Sequence, residues 1–124
     1  EKLIQIVLIG QPELETVLAR TELRQLKQRI TIQWELLPLS LEETRGYIQH
    51  RLNVAGGKGK IRFDSSAIDN LFRYTQGIPR MINVMADRAL LLAYTQNTKR
   101  ISTKILRAAA HPPYRYLKAR PARV

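Results

Sequence analysis

The chain opens on an almost unbroken apolar run, Leu3 to Ile9 (LIQIVLI). Such a run is the pattern of a strand covered on both faces, as in a parallel sheet. Gly10-Gln11-Pro12 ends it. Pro12 then opens a predicted helix reaching Arg20, with Glu13 and Glu15 in the first turn, where the helix dipole favours acids. Glu22 to Arg29 predicts a second short helix. Ile30 to Leu36 (ITIQWEL) returns to alternation, with Ile30, Ile32, Trp34 and Leu36 on one face. Strand, helical connection, strand is a βαβ-type signal.

From Pro38 onward the period is helical. Ser40-Leu41-Glu42-Glu43 is a capping box, in which the serine hydroxyl and the glutamate carboxylate satisfy each other's backbone amides. The helix it opens carries Leu41, Thr44, Tyr47, Ile48, Arg51 and Leu52 on one face, and Gly56-Gly57 stops it. Asp64 is placed to cap the next helix, whose face is Ile68, Leu71, Phe72 and Thr75, and Gly77 ends it. Pro79 sits where a first helical residue belongs. The longest helix then runs to about Tyr94 on the stripe Ile82, Met85, Ala89 and Leu92. Ser102 caps a last helix to about Ala110, and Pro112-Pro113 forbids its continuation.

The pattern therefore predicts a mainly α chain. Residues 1–38 are a C-terminal remnant of an α/β core, with two strands and short helices. Residues 39–111 are a four-helix bundle, and 112–124 are a basic flexible tail. Two apolar strands cannot cover both their faces within roughly 37 residues, whereas the helical stripes suffice for a small core.

Composition narrows the chemistry. There is no cysteine among the 124 residues, which excludes disulfides and thiolate metal sites. His50 and His111 lie far apart and no HExxH spacing occurs, so no metal site is expected. No apolar run approaches the ~20 residues of a membrane span, and the N-terminus lacks the pattern of a secretory leader. The absence of cysteine suits the cytosol. The formal charge is +11, from 21 Lys+Arg and 10 Asp+Glu. That excess favours phosphate-rich partners: nucleotide, nucleic acid or an anionic membrane face.

Three segments invite a site reading. Gly56-Gly57-Lys58-Gly59-Lys60 fails the phosphate-loop pattern, because Ile61 stands where Ser or Thr is needed and the segment follows a helix. It reads as an interhelix turn. Gly77-Ile78-Pro79-Arg80 holds Arg80 in the first turn of a helix beside free backbone amides, an arrangement suited to phosphate; the alternative is a surface salt bridge. Arg20, Arg24 and Arg29 form a basic run, for which a solvated face is the alternative, and Arg29 directly precedes the second strand. Glu42, Glu43, Asp64 and Asp69 are accounted for by caps and solvated faces rather than acid–base catalysis.

In combination, LIQIVLIGQPEL, LRQLKQRI, LLPLSLEETRGYIQHRL and GIPRMINVMADRALLLAY resemble the second half of the AAA+ ATPase module of the general secretion pathway protein A (ExeA) type. Related modules occur in pilus biogenesis proteins and transposition ATPases. The resemblance covers about residues 2 to 110. It implies that the first strand is the sensor-1 strand, with Gln11 orienting the attacking water. Arg29 matches the arginine-finger position, reaching the nucleotide of a neighbouring subunit, with Arg20 and Arg24 as fallbacks. Arg80, preset by Pro79, matches sensor 2, the lid arginine on the bound nucleotide.

The family's GxxxxGK[ST] loop and its acidic Walker B strand end do not occur in these 124 residues. The resemblance places both upstream of Glu1, so ATP and Mg2+ belong to a longer parent and the chain alone is expected not to hydrolyse ATP. The strand that should lie between the two apolar runs is among the missing parts. Those runs would then pair with each other, pair across chains, or fray. The implied partners are further subunits of the same ATPase, a secretion or pilus assembly system, and an inner-membrane surface met by the tail's Arg115, Lys118, Arg120 and Arg123. The competing reading is a basic nucleic-acid-binding module, with Ser65 to Tyr94 as a helix-turn-helix. Against it, the apolar stripe of the second helix leaves few long polar side chains to read bases.

Overall fold

The computed structural model describes residues 4–110. The predicted basic tail, with His111, lies outside the described residues. By contacts the chain divides into two units, Glu1–Leu36 and Leu37–Val124.

The first unit holds two short helices, α1 (Glu13–Leu18) and α2 (Arg24–Arg29), joined by a single 3-10 turn at Thr21–Leu23. Pro12 is the N-cap rather than the first helical residue of α1, and α1 ends two residues before the predicted Arg20. The expected strands do not form. Residues 4–9 and 30–36 belong to no sheet and do not pair with each other. Their apolar side chains face solvent: Ile9 is 91% exposed and Trp34 84%. The reason is physical. A strand has no internal hydrogen bonds, so an apolar β-pattern becomes a strand only where a neighbour supplies the ladder.

The second unit is the four-helix bundle that the sequence predicts, and the described chain is mainly α. Helix α3 spans Leu41–Val54, α4 Ser65–Thr75, α5 Pro79–Thr95 and α6 Thr103–Ala110. The capping box of α3 is complete: the Glu43 amide donates to Ser40 Oγ at 3.2 Å, and the Ser40 amide donates to Glu43 Oε2 at 2.7 Å. The core takes Ile48 and Leu52 from α3, Leu71 from α4, Ile82, Met85 and Ala89 from α5, and Ile105 and Leu106 from α6. Full burial of a leucine such as Leu71 or Leu106 contributes about 1.5–3 kcal/mol. Ala67, Ala89, Ala93 and Ala109 are also buried, which lets the helices approach closely. Arg45 of α3 donates to Ser65 Oγ at 2.8 Å and pairs with Asp69, linking α3 to α4.

Two further features depart from the sequence reading. Two-residue strands, β1 (Arg62–Phe63) and β2 (Arg100–Ile101), pair in parallel with Arg62 opposite Arg100 and Phe63 opposite Ile101. They are too short for any periodicity to announce. Asp64 occupies the N-cap of α4 but its side chain caps nothing. Its carboxylate instead accepts from Arg100 Nε at 2.7 Å, because β2 brings that guanidinium alongside. A charged pair outcompetes a neutral amide donor.

Candidate functional site

The turn between α4 and α5 positions the arginine that the sequence singles out. Helix α4 ends at Thr75, and Gln76 takes the left-handed conformation (φ 53°). Gly77 follows with φ 75°. A side chain there would run into the Leu39 carbonyl, so only glycine fits. The Leu39 amide donates to the Gly77 carbonyl at 2.8 Å, so the turn before α5 is bonded to the segment that leads into α3.

Pro79 is the first residue of α5 and Arg80 the second. The N-cap is Ile78, which has no capping side chain, and the first turn contains no acid. The first intrahelical donor is the Ile82 amide, bonded to the Ile78 carbonyl at 2.9 Å. The amides of Arg80 and Met81 precede that first bond and face outward from the helix end. Pro79 and Arg80 are both exposed. Guanidinium, outward amides and dipole together form a donor set matched to a phosphate group.

One turn further along α5, Tyr47 of α3 donates its hydroxyl to Asn83 Oδ1 at 2.9 Å. A cavity of about 130 Å3 lies between α3 and α5, with Tyr47, Arg51, Phe63, Asn83, Asp87 and Leu90 in its lining. The sequence reading singled out neither Asn83 nor the Tyr47 hydroxyl. The only available signal was helical spacing, since Arg80, Asn83 and Asp87 follow at i, i+3 and i+7.

The other two predicted site residues belong to the first unit. Gln11 is exposed, and its carbonyl accepts from the Leu14 amide at 2.8 Å in the turn that opens α1. Arg29 is the exposed last residue of α2, where a cation complements the helix dipole. Arg80 and Pro79 are thus built by the bundle, Gln11 and Arg29 by the short-helix unit.

Among the described residues, Asp64 and Arg100 perturb each other: the carboxylate raises the guanidinium's pKa, chiefly through their hydrogen bond. The Arg100 guanidinium holds the Asp64 carboxyl below the usual carboxylate range, chiefly by its hydrogen bond, and Arg62 adds to the effect.

A mainly helical, lid-like module with an arginine in the uncapped first turn of its longest helix is the class that these features define. By sequence the chain belongs to the general secretion pathway protein A (ExeA) type. It is 48% identical over 101 residues to General secretion pathway protein A of Aeromonas hydrophila, a match covering 82% of this chain and 18% of that protein. The chain therefore spans less than a fifth of the length of that relative. No family model matches the chain, and no solved structure does.

Proposed function

We propose that this chain is the nucleotide-sensing and lid portion of an AAA+ ATPase serving a secretion or pilus assembly system. The observation that carries the reading is Arg80: exposed, in an uncapped and acid-free first turn, on a turn bonded to the start of α3. Arg80 binds phosphate oxygens of ATP, and Pro79 sets the helical φ that aims it. Mg2+ arrives with the nucleotide and neutralises charge on the transferring phosphoryl group. Arg29 acts in trans on the nucleotide of a neighbouring subunit, and Gln11 orients water. The ATPase works as a homo-oligomer in the cytoplasm, at the cytoplasmic face of the inner membrane.

The phosphate cradle of such an enzyme needs a GxxxxGK[ST] loop, which these 124 residues do not contain. The isolated chain with Mg2+-ATP is expected to release no phosphate above buffer, while an intact ATPase carrying this module turns over. Turnover by the isolated chain that survives repurification would overturn the assignment. Normal nucleotide affinity and turnover after Arg80→Ala in the intact ATPase would remove Arg80 from the site.

A further inference from the structure

Two polar ties join the start of α5 to α3 and the segment that leads into it, and they bracket Arg80. Before it, the Leu39 amide donates to the Gly77 carbonyl at 2.8 Å. After it, the Tyr47 hydroxyl donates to Asn83 Oδ1 at 2.9 Å, and both side chains are half-buried. Arg80 and Asn83 are three residues apart, so they share one face of α5. Among the described residues no side-chain hydrogen bond or ion pair holds the Arg80 guanidinium. Where that group points therefore follows from how α5 is set against α3.

Apolar packing sets this only in part. Ile82, Met85 and Ala89 seat α5 in the core, but apolar contacts are non-directional. The seam is also unfilled: the cavity of about 130 Å3 lies between α3 and α5, and both Tyr47 and Asn83 line it. A helix beside a void has room to turn about its axis. A side-chain tip roughly 5–6 Å from that axis moves about 1.5 Å for a turn of about 15°. Misplacement by about 1 Å can cost a positioned contact on the order of a hundredfold. The Leu39–Gly77 bond is a single anchor and permits rotation about itself. A directional bond one turn further on, sheltered from competing water, removes that freedom.

We infer that Asn83 is a positioning residue for Arg80, locked by the Tyr47 hydroxyl. The inference rests on the reading of Arg80 as a phosphate ligand given above. Asn83 acts through the helix: its amide oxygen, held by Tyr47, fixes the rotation of the first turns of α5 and with it the direction of the guanidinium.

The test measures ATP affinity in the intact ATPase for Tyr47→Phe, Asn83→Ala and Arg80→Ala, singly and combined. Tyr47→Phe keeps the ring and removes only the hydroxyl, so it reports on the bond even if Asn83→Ala fails to fold. Urea unfolding of the 124-residue chain checks the fold of each variant. With Arg80 present, Tyr47→Phe and Asn83→Ala each weaken ATP binding about two- to tenfold, the worth of one hydrogen bond. Together they lose no more than either alone. With Arg80→Ala already in place, neither has a further effect. A purely structural role, or a direct touch on the nucleotide by Tyr47 or Asn83, would leave the loss intact in the Arg80→Ala background, and that result overturns the inference. So does normal affinity in Tyr47→Phe where Arg80→Ala is impaired. Normal affinity in Arg80→Ala alone is a separate failure, which removes Arg80 from the site and the positioning role with it.

Discussion

Leu39 and Gly77 are bonded backbone to backbone: the Leu39 amide donates to the Gly77 carbonyl at 2.8 Å, and the Leu39 carbonyl occupies the space where a Gly77 side chain would stand. The start of α3 and the start of α5 are thereby one local unit, although 38 positions separate the two residues. Gly77→Ala meets both a positive φ and that carbonyl. The expected cost is on the order of 2–3 kcal/mol, read as a lower urea midpoint with an unchanged slope. An alanine variant as stable as the parent would show that the turn is not held in this way.

Arg80→Ala removes only side-chain donors from an exposed position, so it should leave the stability of the chain within about 0.5 kcal/mol. In the intact ATPase it should weaken nucleotide affinity about ten- to a hundredfold, the worth of a charged hydrogen bond.

Arg29→Ala should separate from it. A trans-acting finger stabilises the transition state rather than the bound nucleotide, so ATP binding stays normal while turnover falls by about 10³ or more. Mixing Arg29→Ala with a variant disabled in its phosphate loop should restore part of the activity, since each supplies what the other lacks at a shared interface. Loss of ATP binding with no rescue would assign Arg29 a structural role.

The Asp64–Arg100 pair predicts a pH dependence. Its folded-state carboxyl is held below the ordinary value. The pair therefore stabilises the fold in full above the unfolded carboxyl's pKa of about 3.9, and the contribution is lost as pH falls through the lower folded value. Asp64→Asn should be less stable than the parent at neutral pH, and the difference should close as the pH drops well below about 4. A gap that stays constant through acid would mean that the carboxylate's charge is not what matters.

Thr44 is fully buried in α3, and its hydroxyl has no hydrogen-bond partner among the described residues. Thr44→Val keeps the shape and removes the desolvated oxygen, so stability should rise by about 1 kcal/mol. A fall on calorimetry would show that the hydroxyl is satisfied in solution.

Helix positions were legible because helical order is local. The capping box at Ser40–Glu43, Pro79 at a first helical position and the stripe from Ile82 to Ala89 are all read within a few residues of themselves, and α3 and α5 form where they predict. Arg80 was legible for the same reason, since its place in the first turn of α5 follows from the Gly-Ile-Pro that precedes it. The apolar patterns at residues 4–9 and 30–36 were equally clear in the sequence but produce no strand, because a ladder requires a partner that local pattern does not contain.

By itself, then, the sequence determined the helices of the bundle, the capping box of α3, the apolar faces that make the core, and the arginine in the first turn of α5. Only the tertiary structure decided the contacts between distant residues. It set β1 beside β2, turned the Asp64 carboxylate from its helix cap to Arg100, placed the Leu39 carbonyl against Gly77, and joined Tyr47 to Asn83. Hydrogen bonds within one turn of helix are chosen by neighbours in sequence. A pair 36 residues apart, such as Asp64 and Arg100, is chosen only when packing of the apolar faces has already brought the backbones together.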